Sequence, residues 1–418
     1  MKKKIIFLLH CPLIWAYLIN ILYGIYFYPK FNFLSFYDTG SYFDAFSRLS
    51  AGRIDMFRVP VYPILLVLFD TLVGKGNAFP VSLGYFQILV FYFSMYYFFR
   101  IISQFTKKPL LQAAAVVVYG CASPIVIYHK YLLTESLTIS GFVFLLFFLF
   151  RHFETKKPPY LISSCILTLL LTMLRPSNVF LFAVTGIYVV GFWISNKKFN
   201  LPVLSFAVSI VLLFGYMSLN KIQNNYFGLS IVSARNRMFD IVTADIYHNN
   251  SDREMVNYIE AKKALNEPDP SIAYDTVHEF ESFVPFDRNG AFINEAIKDH
   301  SIVFIKHLLR KALDIGKHDM LMWYSHSQMK EGEPEIDFIP GDFLSVSIGV
   351  VYLAALIELL VILSNWIKTK AVPWYNLLIF LTISGQIAVN ILAAPGEYYR
   401  LFSPVYSLVI ICAFGHSK

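Results

Sequence analysis

The sequence is poor in charged residues. They make up 15% of its 418 positions, whereas charged residues account for about a quarter of an average soluble domain. Hydrophobic residues account for 56% and aromatic residues for 17%, with 40 Phe and 27 Tyr. This composition excludes an ordinary soluble domain and indicates a protein that faces lipid and its interfaces.

Cysteine is scarce as well. The four cysteines are Cys11, Cys121, Cys165 and Cys412, and all of them fall inside apolar runs. They provide neither a disulfide framework nor a metal-ligand spacing. We therefore interpret them as small apolar packing residues.

The net charge of +7 is concentrated in short breaks between apolar runs. These breaks contain Lys2 to Lys4, Lys107 and Lys108, Lys156 and Lys157, Lys197 and Lys198, and Lys368 and Lys370. Such clusters are the positive-inside pattern that orients a membrane protein. The positive charge therefore does not indicate a nucleic-acid partner.

Apolar runs of roughly 20 residues can cross a bilayer as helices. We predict ten spans, with both termini cytoplasmic, near residues 5–28, 80–102, 110–128, 136–150, 160–174, 177–194, 201–219, 343–366, 375–393 and 402–415. The first run lacks a small-residue cleavage site, so we interpret it as an uncleaved anchor. A short run at Val61 to Val73 is expected to lie at the outer interface.

The composition changes between residues 221 and 341. Of the 28 acidic residues, 20 lie between Asp240 and Asp342, and no run there is long enough to span. Two segments show the apolar spacing of helices, and the second, from Ala291 to Gly316, is amphipathic enough to rest on a membrane surface. We predict a membrane module at 1–220 with a first outer loop at about 29–79, a mainly helical extracytoplasmic domain at 221–341, and C-terminal membrane helices at 342–418.

Eight charged residues outside that domain map to the first outer loop or to the outer ends of spans. They are Asp38, Asp44, Arg58, Lys130, Glu135, Arg175, Glu397 and Arg400. Each one alone is typical of an interfacial anchor whose charged end reaches water. Together, from separate chain segments, they predict one polar site at the outer membrane boundary.

Four stretches resemble a known family. "YDTGSYFDAFSRLSAGRIDMFRVPVYPILL" is similar to the first outer loop of polyprenyl-phosphate-sugar-dependent glycosyltransferases of the GT-C superfamily, in the bacterial branch related to protein O-mannosyltransferases and aminoarabinose transferases. "YLLTESLTISGFVFLLFF", "LTMLRPSNVFLF" and "GEYYRLFSPVYSLVII" resemble later segments of that family, in the same order. Thr39 stands where the family often has Ser, Glu or Asp, which weakens a metal-binding interpretation.

The resemblance implies a GT-C-like, all-α polytopic fold and a sugar transfer from a lipid phosphate to a glycan, lipid or protein acceptor. Asp38 corresponds to a general base, and Glu135 orients the acceptor or assists Asp38. Arg175 corresponds to the donor-phosphate contact. Further substrate contacts are expected from Arg58, Tyr42, Lys130, Tyr398 and Arg400. Inversion at the anomeric carbon is implied, no cofactor is expected, and a requirement for a divalent metal stays open.

Two other functional classes remain open. A lipid-linked sugar flippase or transporter also has many spans, but it usually has internal repeats and charges near the bilayer midplane. A non-catalytic envelope-assembly protein needs no carboxylates and arginines at one outer rim. We expect a multi-pass plasma-membrane protein with an extracytoplasmic site. Asp44 is a second candidate for the base.

Overall fold

The computed structural model describes residues 12–27, 37–74, 78–129, 131–197, 200–265, 286–317, 347–393 and 398–415. Within these ranges every regular element is a helix. The protein is an all-α membrane protein with several apolar helices long enough to cross a bilayer.

The helices of the N-terminal part are α1 (Pro12–Phe27), α2 (Tyr37–Ser50), α3 (Val61–Val73), α4 (Ala78–Phe105), α5 (Pro109–Cys121), α6 (Glu135–Thr155), α7 (Pro158–Leu174), α8 (Phe180–Asn196) and α9 (Leu201–Asn224). They are followed by α10 (Val232–Thr243), α11 (Arg253–Leu265), α12 (Phe286–Asp299) and α13 (Ser301–Ile315). The chain then forms α14 (Gly349–Thr369), α15 (Trp374–Ala393) and α16 (Tyr398–Gly415).

Six of the ten predicted spans coincide with helices that are long and apolar enough to cross a membrane. These helices are α4, α6, α9, α14, α15 and the continuous helical segment Pro176–Ser195. The remaining predicted spans coincide with the shorter apolar helices α1, α5, α7 and α16. The short outer run is helix α3, with the predicted bounds.

The predicted span at 110–128 is not continuous. Helix α5 ends at Cys121 and Ala122 is extended, with a ψ angle of 123°. A separate helical turn then begins at Ser123. Pro124 has no amide hydrogen to continue α5, but it is well placed in the first turn of a new helix.

Lysine and proline define the helix ends opposite the candidate site. Lys156, Lys197 and Lys370 end α6, α8 and α14 in the left-handed conformation. Pro109 and Pro158 lie in the first turns of α5 and α7. A lysine beside the last carbonyl groups complements the helix dipole, and a proline in the first turn costs no hydrogen bond.

Helix α6 is the centre of the bundle. In its apolar window 72% of the residues are buried inside the protein, against 17% to 44% for the other five long spans. It packs against α4, α7 and α16. At 1.5 Å per residue, α6 is about 30 Å long, so Glu135 at its start and Lys156 after its end lie at opposite ends of the bundle.

Helices α10, α11 and α12 form a second, smaller hydrophobic cluster. Ile241, Tyr247, Met255, Phe292 and Ile293 are among its most buried members, and each is at most 1% exposed. This cluster belongs to the region predicted to be an extracytoplasmic domain. Its predicted C-terminal boundary near 341 lies outside the described residues.

Candidate active site

A continuous series of oppositely charged side chains lies at the start of α6. Its order is Arg58, Asp38, Arg400, Glu135 and Arg175. The contacts are Arg58 Nη2 to Asp38 Oδ1 at 2.6 Å, Arg400 Nη2 to Asp38 Oδ2 at 2.7 Å, Arg400 Nε to Glu135 Oε1 at 3.2 Å and Arg175 Nη1 to Glu135 Oε1 at 3.2 Å. Four separate chain segments therefore meet in one ion-pair network, with Asp38 and Arg58 both in the first outer loop.

Asp38 lies in the first turn of α2 and accepts a hydrogen bond on each carboxylate oxygen. Burial alone would raise the pKa of Asp38. The guanidinium groups of Arg400 and Arg58 outweigh burial and hold this pKa well below its ordinary value. Asp38 is therefore an ionised carboxylate with little basicity while both arginines contact it.

Arg58 is held in place by its immediate neighbours. Its Nε donates to Ser41 Oγ at 2.7 Å, and its guanidinium lies over the ring of Tyr42, 4.4 Å from the centroid. Asp55 Oδ1 accepts hydrogen bonds from the backbone amides of Phe57 and Arg58, at 2.7 and 2.8 Å. This Asx-type turn directs the arginine side chain back toward the start of α2.

The loop between α2 and α3 begins with a turn in a backbone conformation that favours glycine. Gly52 has a φ angle of +74°. The amide of Arg53 donates to the carbonyl of Arg48 at 2.9 Å, five residues earlier. This is the Schellman arrangement at a helix C-terminus. It ends α2 before the loop that carries Arg58 back toward the start of α2.

The same loop is fastened to the chain segment between α9 and α10. Three hydrogen bonds join them: Ile231 N to Met56 O at 3.0 Å, Ser230 Oγ to Phe57 O at 2.6 Å and Ile54 N to Gln223 Oε1 at 2.8 Å. We call the segment from Gln223 to Ile231 the loop clamp. It holds the backbone directly before Arg58.

Glu135 is the most buried member of the network, since its side chain is 2% exposed. It lies in the first turn of α6, where the helix dipole favours a carboxylate. Thr134 Oγ1, directly before it, lies 3.3 Å from the Tyr42 hydroxyl. This contact connects the Glu135 end of the network to α2.

Arg175 occupies the break between α7 and the short helix Pro176–Val179. Its backbone is extended, with φ −152° and ψ 119°, as expected for a residue before proline. Its side chain is 10% exposed. The buried Nη1 lies within ion-pair distance of Glu135 but makes no hydrogen bond with any described residue. A buried N–H group with an unmade hydrogen bond has capacity for an oxygen ligand.

The network carries more positive than negative charge. Three guanidinium groups and two carboxylates give a formal excess of one positive charge. Arginine is suited to planar, bidentate binding of phosphate and carboxylate oxygens. The arrangement is therefore suited to an anion with several oxygens, in a location partly shielded from water.

The described residues of the site offer few ligands to a divalent cation. Both carboxylates of the site already contact arginines, and the surplus charge is positive. Among the residues that the structure describes, no group of three or more His, Cys, Asp or Glu side chains is arranged to hold a metal ion. Hard cations such as Mg²⁺ bind oxygen ligands that carry negative charge, and those are not in excess here.

Of the eight predicted site residues, six are adjacent in space: Asp38, Tyr42, Arg58, Glu135, Arg175 and Arg400. Lys130 lies outside the described residues, as does Glu397. Tyr398 is partly buried and interacts electrostatically with Asp240 and Tyr352.

Asp44, the second candidate for the base, is exposed and makes no ion pair with a described residue. It lies on a different face of α2 from Asp38. Asp44 is six residues after Asp38, and at about 100° per residue this separation rotates its side chain roughly 240° around α2 relative to Asp38.

Three supporting residues were missing from the sequence interpretation. Ser41, Asp55 and Thr134 contact the predicted residues directly. The role of Asp55 could have been predicted from the sequence. An aspartate whose side chain accepts hydrogen bonds from backbone amides two or three residues later is typical of a turn. Ser41 and Thr134 carried none, since a hydroxyl group gives no sequence pattern by itself.

Comparisons with known proteins identify no relative by sequence. No protein-family model matches the chain, and no curated protein matches it. Among solved structures, the crystal structure of the Archaeoglobus fulgidus oligosaccharyltransferase in the apo form has a TM-score of 0.47 and 10% identity. The archaeal oligosaccharyltransferase AglB from Archaeoglobus fulgidus, in complex with an inhibitory peptide and a dolichol-phosphate, has a TM-score of 0.45 and 9% identity.

The match covers 96% of this chain in both cases, but this chain spans about half, 49%, of the length of those proteins. Similarity at this level does not establish a shared activity.

Proposed function

We propose that this chain is a membrane glycosyltransferase of the GT-C type. It moves a sugar from a polyprenyl-phosphate-linked donor to an acceptor hydroxyl or amine. The observation that carries this proposal is the network of three arginines and two carboxylates at one end of an apolar helical bundle. A lipid phosphate needs both an apolar surface for its chain and fixed cations for its head.

The orientation follows from the lysine clusters. Lys156, Lys197 and Lys370 follow the ends of helices opposite Glu135. Under the positive-inside rule that end faces the cytoplasm. The site then lies on the extracytoplasmic face of the plasma membrane, where an acceptor glycan, lipid or protein has access.

In the proposed reaction an acceptor oxygen or nitrogen forms a bond to the anomeric carbon of the sugar. The bond from that carbon to the phosphate oxygen breaks, and its electron pair leaves on the phosphate. The acceptor proton passes to a base, for which Asp38 is the candidate. Attack on the face opposite the phosphate inverts the anomeric centre.

The arginines stabilise the charge that develops on the departing phosphate. Arg175 is a phosphate contact in this scheme, and the unmade hydrogen bond of its buried Nη1 among the described residues supports this role. Arg400 lies between the two carboxylates, at 2.7 Å from Asp38 and 3.2 Å from Glu135. Cations near a leaving phosphate lower the barrier because they stabilise the negative charge that develops on it.

Donor binding also activates Asp38 in this scheme. In the structure the two arginines keep the pKa of Asp38 low, which makes it a weak base. A donor phosphate competes with Asp38 for Arg58 and Arg400. When it draws either guanidinium away, the pKa of Asp38 rises and proton removal becomes effective. The donor therefore binds before the acceptor is deprotonated.

Glu135 acts as a positioning residue. It is nearly inaccessible and contacts both Arg175 and Arg400 through one oxygen. It sets the spacing of the two guanidinium groups that face the phosphate. The region 221–341 contributes to acceptor selection, in keeping with the contacts between the loop clamp and the Arg58 loop.

The direct test is sugar transfer by the purified protein in liposomes. Polyprenyl-phosphate donors with different labelled sugars are mixed with envelope extracts as the acceptor source. Release of the lipid phosphate together with labelled product supports a transferase. Movement of the donor across the bilayer without chemical change would indicate a flippase. If the protein does not bind the donor and neither transfers its sugar nor moves it across the bilayer, the protein has a structural role and the proposal is overturned.

A further inference from the structure

Helix α13, Ser301–Ile315, exposes an apolar stripe. Ile302, Ile305, Leu309 and Leu313 have exposed fractions of 69%, 56%, 61% and 71%. Their spacing of three and four residues places them on one face of the helix. Four large apolar side chains on one exposed face are unusual for a surface in contact with water.

The opposite face of α13 packs against the protein through both apolar and charged side chains: Ile315 is fully buried, and Phe304 packs against the second hydrophobic cluster. Lys311 Nζ lies 2.6 Å from Asp240 Oδ1, and His307 Nε2 lies 3.4 Å from the same oxygen. Asp240, on α10, is 1% exposed. The helix therefore directs a charged residue into the protein and the aliphatic residues of the stripe outward. The ion pair fixes the orientation of α13 about its own axis. The apolar stripe therefore faces away from the protein.

The C-terminal end of α13 is joined to the beginning of a membrane span. The Tyr352 hydroxyl of α14 donates to the carbonyl of Ala312 at 2.9 Å. Ser347 Oγ, just before α14, donates to the carbonyl of Gly316 at 2.8 Å. Since α14 is an apolar helix long enough to span, α13 lies at the level where the chain enters the bilayer.

Two basic residues border the stripe. Lys306 and Arg310 are exposed, and at about 100° per residue they lie beside the stripe rather than opposite it. An apolar face with a basic border is the pattern of helices that lie in a lipid interface. It complements acyl chains on one side and anionic headgroups on the other.

We propose that α13 lies in the headgroup region of the bilayer, with its stripe among acyl chains and Lys306 and Arg310 at lipid phosphates. The occupant of this face is the bilayer itself. Through the Asp240–Lys311 pair this contact holds α10 against the membrane, and α10 begins directly after the loop clamp. The proposal does not depend on the reaction that the site performs.

The test uses single cysteines in an otherwise cysteine-free, full-length protein reconstituted in nanodiscs with anionic lipid. Leu309→Cys and Leu313→Cys report on the stripe, and both side chains are exposed, so substitution leaves packing intact. Asn257→Cys, at an exposed polar position on α11, is the matched control. Each carries a nitroxide label whose collisions with lipid-soluble oxygen and with a water-soluble nickel chelate are measured.

We expect labels at 309 and 313 to show a several-fold higher ratio of oxygen to nickel collisions than the label at 257. Lys311→Met, which breaks the ion pair and frees the rotation of α13, should reduce this difference. Equal nickel access at all three positions would place the stripe in water and overturn the proposal. Protection from both reagents at 309 and 313 would indicate a protein partner or a second copy, and would overturn it as well.

Discussion

Asp38 and Arg400 are 362 positions apart in the sequence, and Nη2 of Arg400 donates a 2.7 Å hydrogen bond to Oδ2 of Asp38. The contact joins the start of α2 to the start of α16. Arg400 also reaches Glu135 at the start of α6. This arginine therefore connects the two carboxylates into one site, and the predictions below depend on that connection.

Asp38→Asn should abolish most turnover while the protein still folds and binds donor. Asparagine keeps the shape of the side chain but does not accept a proton at neutral pH. Loss of a general base typically costs about 10² to 10⁴ in rate. Steady-state transfer with a labelled donor measures the effect. Asp44→Asn is the matched control on the same helix, and its activity should equal that of the wild type. Normal transfer in Asp38→Asn would remove Asp38 as the base.

Arg175→Ala should raise the donor KM, lower kcat, or both, because it removes the guanidinium with the unmade hydrogen bond. Arg175→Lys should recover part of the loss, since charge contributes more than fork geometry at a single phosphate. Donor titrations of the three proteins separate these effects. Arg151→Ala, on the lysine-rich side, is a control that should leave donor kinetics unchanged. Wild-type kinetics in Arg175→Ala would exclude Arg175 from the donor site.

Glu135→Gln should destabilise the protein as well as reduce activity. Removal of one partner from a buried ion pair leaves an uncompensated charge and costs roughly 3–5 kcal/mol. The double variant Glu135→Gln/Arg175→Met should regain much of the stability but no activity. Thermal unfolding in a fixed detergent compares the variants. If the loss of stability in the double variant equals the sum of the losses in the two single variants, Glu135 and Arg175 are not coupled.

Ser230→Ala should loosen the backbone that carries Arg58. The substitution removes the hydrogen bond to the carbonyl of Phe57, so amide exchange in the peptide covering 53–60 should become faster. The donor KM should rise several-fold, and this rise should vanish in an Arg58→Ala background. Ser233→Ala is the control, since its hydroxyl contacts Ser230 and not the loop. Unchanged exchange in Ser230→Ala would contradict the role of the loop clamp.

The pH dependence should differ between the free enzyme and its donor complex. In the free enzyme the pKa of Asp38 lies below its ordinary value, so Asp38 is ionised at every pH above about 4. If the donor phosphate draws the arginines away, the pKa of Asp38 rises. The acid limb of kcat should therefore lie at higher pH than the acid limb of kcat/KM for the donor. Coincident limbs would exclude donor-dependent activation of Asp38.

The membrane character and the helical plan of the protein follow from the sequence alone. A bilayer requires about 20 apolar residues per crossing helix, and the apolar runs and lysine-rich breaks satisfy that requirement locally. Backbone hydrogen bonds in lipid are made within each helix, so the neighbours along the chain determine each span. Six predicted spans are confirmed as long apolar helices for this reason. The resemblance to four family segments added the order of the polar residues along the chain.

The site was decided by tertiary structure. Apart from the family resemblance, which singles out Asp38, nothing local distinguishes Asp38 from Asp44, because both are aspartates on one short helix. The distinction arises because packing of α2 and α16 brings Asp38 to Arg400, while Asp44 faces outward. The low pKa of Asp38 likewise requires Arg58 from the same loop and Arg400 from a segment 362 positions away. Ion pairs depend on distances of a few ångström between side chains, and such distances exist only after the helices have packed.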